Sequence, residues 1–499
     1  VIGISVVWVL GIMGYSGITF SNIFVAIMPL IYGVSVAYSV HLLTRYYEER
    51  AKGSISSRSA VIGIKTVGMA ILLTVITTSF GFGSFTISDL PPLQEFGIVL
   101  VLGIIFSFLL VITLMPSLLV LRDEGTPAGE KRQSRTNKLL DRISLVALHH
   151  KKYVLLLTGI TVAACVAVAP TIPTSIDYDE LLPQESITIS TEQEVAELFG
   201  GGSESVIIMV EGDILSEYES LLMIEERIRA LPLTNKDGTP VVTGVVSFAD
   251  MLYRVQGNLQ AACADQQAAA ILSQTLVLDD SHANYLTKGL ILVFVDAESD
   301  AEARNLTREI RGIIENHPTL SLKLGGAPVL MADILDGMQS TQIKTTALAL
   351  VLSLIVVILL FRSVPLGIMT VLPVILTIAW EFGVLKVTGW NLDIFTIMVS
   401  ALIIGIGIDF SIHVVHRFRE EFEKTMVAET AVENTVLNVG KALISTTATT
   451  GGAFLVLALS SMPIITRFGL LVAIVIGLSF LSALLVLPSI LVYYFERKK

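Results

Sequence analysis

A chain of 499 residues that is 53% hydrophobic, only 15% charged and of mean hydropathy +0.75 has more apolar surface than one water-soluble core hides. Apolar runs of about 18 residues recur along it, the length that spans a membrane. A formal net charge of −11 speaks against nucleic acid as a partner. Two cysteines, Cys165 in an apolar run and Cys263 in a polar one, form neither a disulfide framework nor a metal-ligand spacing.

In chain order, the hydropathy pattern predicts spanning helices near residues 1–14, 22–43, 61–87, 95–121, 153–173, 345–361, 365–388, 394–416, 432–459 and 466–494. Residues 1–121 form a first group of helices. The basic linker 122–152 carries Leu139, Leu140, Ile143 and Val146 at helical spacing opposite Lys138 and Arg142, which predicts a helix lying in the membrane interface. His149, His150, Lys151 and Lys152 read as a cationic anchor rather than a metal site. After the span 153–173 comes the one large polar segment, 174–343, with 27 acidic against 9 basic side chains.

That segment mixes periodicities. Val206–Val210, Val241–Ser247, Leu290–Val295 and Leu320–Leu324 read as strands, while Glu217–Leu231, Asn258–Leu278, Glu302–Asn316 and Val329–Gln342 read as helices. Interleaved strands and helices predict an α/β sandwich of split β-α-β type. Gly200–Gly202 reads as a turn, since no Lys-Ser or Lys-Thr follows to make a phosphate loop. No catalytic carboxylate pair, nucleophile elbow or metal cluster stands out, so no enzyme and no cofactor is expected. Residues 345–494 form the last group of helices.

The cations orient the chain. Arg45, Arg50, Lys52 and Arg58, then Arg122 to Lys152, then Arg362, Arg417 and Arg419, and finally Arg497 to Lys499 all fall on one side. That side is expected to be cytoplasmic, with residues 174–343 extracytoplasmic.

The chain is organised around Gly405 to His413, an apolar stretch bearing one carboxylate, Asp409, inside a span. At about 1.5 Å per residue, Asp409 sits roughly 6 Å from the helix centre toward its charged end. An ionised Asp at that depth costs about 3 kcal/mol on insertion scales, so it must face protein or water, and a proton or ion site is the default reading. The same stretch occurs twice. Gly33 to His41, followed by Arg45, Glu48 and Glu49, matches Gly405 to His413, Arg417, Glu420 and Glu421, and Gly68, Thr74, Thr78, Phe96, Gly97 and Pro116 fall on Gly440, Thr446, Thr450, Phe468, Gly469 and Pro488. Duplicated helical bundles of this kind are a transporter architecture. Ala37 stands where Asp409 stands. Val1 falls opposite Pro373, within a helix, so the chain is expected to be a piece lacking whatever preceded its first helix.

The Gly-rich, Asp-bearing helix with its His and Arg-Glu-Glu tail, the halfway repeat and the inserted α/β segment resemble the RND superfamily of exporters, in its MMPL or hopanoid-transporter-like branch. The resemblance covers essentially the whole chain. It implies a polytopic α-helical membrane protein with two homologous helical repeats and one external α/β domain, ferredoxin-like and of porter type. It further implies a cell-membrane protein that pumps lipids or other hydrophobic molecules with the proton gradient, through acids on paired central helices.

Carried over by residue, Asp409 matches the family's proton-carrying Asp, Ala37 replaces its counterpart, and Phe410 stands where a Tyr would follow. Tyr38 is expected to reach Asp409 across the repeat interface. His413, one helical turn toward the charged end on the same face, and the hydroxyls of Thr446 and Thr450 on the adjacent span are candidate relay groups, against which stand an interfacial His and small-residue packing. Glu381 reads as an acid in the outer vestibule, serving packing or solvation, or as a stand-in for the missing carboxylate. Two readings from other classes remain: a lipid- or sterol-sensing receptor, and a proton-driven protein-export auxiliary. Oligomeric state is open, a homo-oligomer included.

Overall fold

A computed structural model describes residues 1–123, 137–175, 204–212, 214, 217–235, 237–249, 253, 275–278, 286–297, 299–315, 317 and 319–497. It divides into two compact units, one of Val1–Gln184 with Met338–Lys499, the other of Glu185–Gly337. The expected turn at Gly200–Gly202, residue Cys263 and the linker residues 124–136 lie outside the described residues.

The larger unit is helical. Its helices are α1 (Ile2–Ser16), α2 (Ile27–Ala51), α3 (Ser56–Gly83), α4 (Pro91–Asp123), α5 (Asn137–His149) and α6 (Lys151–Val168). They are followed, after the smaller unit, by the end of α9 (Ala327–Phe361), then α10 (Val364–Thr388), α11 (Ile394–Thr425), α12 (Ala428–Leu455), α13 (Pro463–Leu481) and α14 (Leu487–Arg497). Among the described residues, nine helical segments are long and apolar enough to cross a membrane. The tenth expected span is α1. Its 15 residues cover about 22 Å, short of a hydrocarbon core of about 30 Å.

The repeat is visible element by element. Helices α3 and α12 each run 28 residues and each passes into a short 3-10 turn, Ser84–Ile87 and Val456–Leu459. Helices α1 and α10 both end on a glycine in the left-handed region, Gly17 at φ 71° and Gly389 at φ 72°, a backbone that glycine adopts without a Cβ penalty. At the charged ends the ion pairs are duplicated: Arg45 to Glu48 and Glu49 with Lys52 to Glu49, and Arg417 to Glu420 and Glu421 with Lys424 to Glu421.

Helix α5 forms where amphipathic spacing predicts it, but it does more than lie on a membrane surface. Leu140, Ser144 and Ala147 are buried, with Leu140 packed on Gly440 of α12 and Ala147 accepting a hydrogen bond from Ser489 Oγ of α14 at 3.1 Å. Leu139 and Val146 lie exposed on the other side. The loop between α3 and α4 is tied to α9 by Lys344 Nζ, 2.9 Å from Asp89 Oδ2, a bond that holds the Asp89 carboxyl below its ordinary range.

The smaller unit holds β1 (Glu204–Glu211), α7 (Tyr218–Arg229), β2 (Val242–Ser247), β3 (Leu276–Leu278), β4 (Leu286–Val295), α8 (Asp300–Ile314), β5 (Ser321–Gly325) and the start of α9. The sheet is antiparallel with order β2-β4-β1-β5, and β3 pairs with β4. Leaving β3 aside, this is the split β-α-β arrangement that the sequence predicts. One expectation needs correcting: Leu276–Leu278, read as the end of a helix from Asn258, is a strand, because β4 runs long enough to pair with it; residues 258–274 lie outside the described residues. The core is built from Val206, Ile208 and Val210 of β1, Ile291 and Val293 of β4, and Leu306 and Ile310 of α8. Ser299 caps α8 in a reciprocal box with Glu302, satisfying two otherwise orphaned backbone donors.

Candidate functional site

Helix α11 is the hub of the larger unit. Of its most apolar 18-residue window, 94% is buried, against 61% or less in the other candidate spans, and it packs on α3, α10, α12 and α13. Asp393 starts it with a capping box to Thr396, both bonds 2.7 Å long. A helix apolar on all sides is a buried helix, so its polar residues need protein partners.

Close packing at the crossings of the two repeats depends on matched glycines. Thr78 Oγ1 of α3 donates to the Gly405 carbonyl at 2.9 Å, and Thr450 Oγ1 of α12 donates to the Gly33 carbonyl at 3.0 Å. A Cβ at Gly405 would lie 2.9 Å from Thr78 Cγ2, and one at Gly33 would lie 2.8 Å from Thr450 Cγ2. The two crossings are therefore equivalent, and the substitution at Ala37 is what separates them chemically.

Asp409 is 3% exposed. Thr74 Oγ1 of α3 donates to its Oδ1 at 2.6 Å, and His413 Nε2, one turn along α11, lies 3.1 Å from the same oxygen. The His413 ring stacks on His41 of α2, centroids 4.1 Å apart and planes 19° from parallel. His41 is buried, and its Nε2 has no hydrogen-bond partner among the described residues. A cavity of about 310 Å³, lined by His41, His413, Arg45, Glu48, Arg417 and Glu420 among others, runs from the histidine pair toward the charged helix ends.

Of the residues anticipated from sequence, Asp409 and His413 meet. The others do not join them. The Tyr38 hydroxyl is buried, and the expected bond to Asp409 is not made in this arrangement. Thr450 is committed to the Gly33 carbonyl. Thr446 is fully buried and its hydroxyl is unpartnered among the described residues. The reason lies in the pairing of helices. The hydroxyl facing Asp409 comes from the opposite repeat, on α3, and by the same symmetry the Thr446 hydroxyl is left opposite Ala37.

A prediction follows from that asymmetry. Thr74→Val removes the donor that holds the acid and should destabilise the helical unit by about 1.5–3 kcal/mol, the range for a hydrogen bond to a charged group. Thr446→Val replaces an unpartnered buried hydroxyl by its isostere and should leave stability equal or higher. Apparent melting midpoints of the two purified variants check this; equal losses would show that both threonines act only in packing.

A second carboxyl, Glu381 of α10, is 1% exposed. Ser400 Oγ donates to its Oε2 at 2.6 Å, and Gln342 Nε2 donates to Ser400 Oγ at 2.7 Å. Of the two roles expected for it, packing or solvation, this buried setting fits packing, and no Lys or Arg pairs with it among the described residues. An apolar cavity of about 670 Å³ opens beside α6, α10 and α13, lined by Leu157, Cys165, Trp380, Val384, Ile474 and Leu478 among others. Trp380 Nε1 donates to Thr161 Oγ1 at its edge, 3.1 Å away.

The model of the MMPL family matches residues 1–147 and 181–498. A putative membrane protein of Methanocaldococcus jannaschii, MJ1562, is 28% identical over 360 residues, covering 68% of this chain and 89% of its own length. The mycolic acid-containing lipids exporter MmpL11 of Mycolicibacterium smegmatis is 25% identical over 248 residues, 46% of this chain and 26% of that protein. The hopanoid transporter HpnN of Rhodopseudomonas palustris is 29% identical over 131 residues, 26% of this chain and 14% of its own. Among solved structures, the hedgehog release protein Disp of the water bear Hypsibius dujardini superposes with a TM-score of 0.71 at 16% identity, over 98% of this chain and 66% of that one. SecDF superposes with a TM-score of 0.56 at 17% identity, over 100% and 58%. At such identities the two structures speak to the fold alone. The matched regions span most of the archaeal relative but about a quarter or less of the two named lipid transporters.

Proposed function

The chain belongs to the MMPL family, and from that premise we propose that it is a transporter of lipids or other hydrophobic molecules driven by the proton gradient, with Asp409 as the coupling acid. The observation that carries the reading is a carboxyl buried at the junction of two repeats, held by a hydroxyl and an imidazole and by no Lys or Arg among the described residues. Ionised, it is a buried charge in a low-dielectric setting; protonated, it is a neutral donor. Two such states bias a bundle that has two arrangements. His413, whose imidazole lies 3.1 Å from Asp409 Oδ1, and the polar cavity behind it supply the route toward the charged ends. Those ends are placed on the cytoplasmic side by their Lys and Arg, which puts Glu185–Gly337 outside.

The apolar cavity beside α6 and α10 suits an acyl chain, so the hydrophobic part of the substrate is assigned there. The test is movement of a fluorescent lipid by the purified protein in proteoliposomes, with and without an imposed proton gradient. Movement that stops when a protonophore collapses the gradient supports the proposal, and movement indifferent to the gradient defeats it. A lipid-sensing receptor is the second reading, favoured by Ala37, which leaves one repeat without its acid; it predicts lipid binding unaffected by the gradient and no net movement.

A further inference from the structure

One set of atoms beside Asp409 has a chemistry of its own. His41, Asp409 and His413 each offer a ligand atom, and these atoms lie within 4.8 Å of one another. We propose that these three side chains form a binding site for a divalent transition ion of the zinc class.

The donor set points to that class. Two imidazole nitrogens and one carboxylate oxygen make a three-ligand site with an open fourth position, as zinc accepts, whereas calcium and magnesium favour all-oxygen shells. The His41 Nε2 supplies the independent evidence. It is a buried ring nitrogen with no hydrogen-bond partner among the described residues, and neutral imidazole nitrogens of this kind bind metal well. Ligand atoms around one zinc stand roughly 3.3 Å apart at bonds of about 2.0 Å, so the set closes when the stacked imidazoles turn out of parallel until both in-plane lone pairs meet at the ion, and the proton between His413 and Asp409 leaves to solvent through the cavity. Thr74 donates to Asp409 Oδ1 and orients the carboxylate as an outer-shell partner does.

The site also has an entrance and a balanced charge. The cavity of about 310 Å³ begins at His41 and His413. The two arginines on its wall do not repel an incoming cation unopposed, because Arg45 is paired with Glu48 and Glu49, and Arg417 with Glu420 and Glu421. An ion held there takes the oxygen on which the proton-coupling reading depends, so on that reading it arrests the transport cycle.

The experiment titrates the full chain in detergent with cobalt(II) chloride and reads the visible d–d absorption, then displaces the cobalt with zinc chloride. One saturable cobalt per chain is expected, displaced by zinc and indifferent to excess magnesium. His41→Ala and His413→Ala should each weaken binding at least tenfold, while His416→Ala, on the wall of the same cavity but outside the trio, should leave it unchanged. His41→Gln, closer in size, repeats the test if the alanine variant does not elute as a single folded species. No saturable binding, or binding that survives both His41 substitutions, overturns the proposal. Because absorption reports the metal directly, a failure of gradient-driven transport leaves this site standing, and the loss of this site leaves the transport reading standing.

Discussion

Asp409→Asn should reduce gradient-driven lipid movement to the level seen without a gradient, while the protein stays as stable as wild type or becomes more so. Asparagine keeps the shape of the side chain and a carbonyl oxygen for Thr74 and His413, which hold Oδ1 at 2.6 and 3.1 Å. It removes the one property on which the proposed coupling depends, the gain and loss of a proton. It also removes a charge whose burial costs about 3 kcal/mol on insertion scales, so the unfolding midpoint in detergent should not fall. Both readouts matter together: lost transport with lost folding would implicate structure alone, and full transport in the folded variant would take the coupling role from Asp409. Asp409→Glu, which restores an acid about one methylene further out, should recover part of the activity.

Gly97→Ala and Gly469→Ala should each destabilise the helical unit by about 2–3 kcal/mol, the upper part of the range for an overpacked core. A Cβ at Gly97 would lie 2.6 Å from the Phe82 carbonyl oxygen and 2.8 Å from Phe85 Cβ. A Cβ at Gly469 would lie 2.6 Å from the Phe454 carbonyl oxygen and 2.6 Å from Leu457 Cβ. In each case a backbone carbonyl at the turn that closes α3 or α12 lies 2.6 Å away, and backbone there has no rotamer to yield. Gly451 and Gly452 have nothing within 4 Å of an added Cβ and serve as controls; Gly451→Ala should cost nothing and, as a helical Gly→Ala change, should stabilise slightly. Apparent melting midpoints of the purified variants give the comparison, and similar midpoints for all four chains would show that the repeats do not pack this closely.

The sequence made the duplication legible because its offset never slips, and with it the matched helices, the turns and the isolation of Asp409. It also announced the antiparallel α/β unit, since β-branched runs and the amphipathic α8 keep distinct periods. What it did not announce was the immediate company of the acid. Neighbourhood along the chain points to the next helix, and so to Thr446 and Thr450, whereas a repeat interface exchanges partners and delivers Thr74 instead. His41 is visible in the sequence only as the mate of His413; no local pattern shows that the two rings stack at 4.1 Å. The signal for Thr74 lay in the repeat itself, once each central helix is paired with the third helix of the other half rather than its own. Glu381 carried a similar signal, an acid two turns inside a span, but its partners Ser400 and Gln342 come from two other helices that no local pattern connects.

On the proposed proton-coupled cycle, the alanine at position 37 also sets a ceiling on work. A cycle that carries one proton on Asp409 draws about 2.3 kcal/mol from each 100 mV of membrane potential, and at about 1.4 kcal/mol per tenfold ratio that sustains a substrate accumulation of roughly fiftyfold for each molecule moved. A bundle with an acid in both repeats would carry two protons and square that ratio. Measuring the steady-state accumulation ratio against an imposed potential therefore counts the protons, and the slope belonging to a single charge is the thermodynamic signature that Ala37 leaves on the molecule.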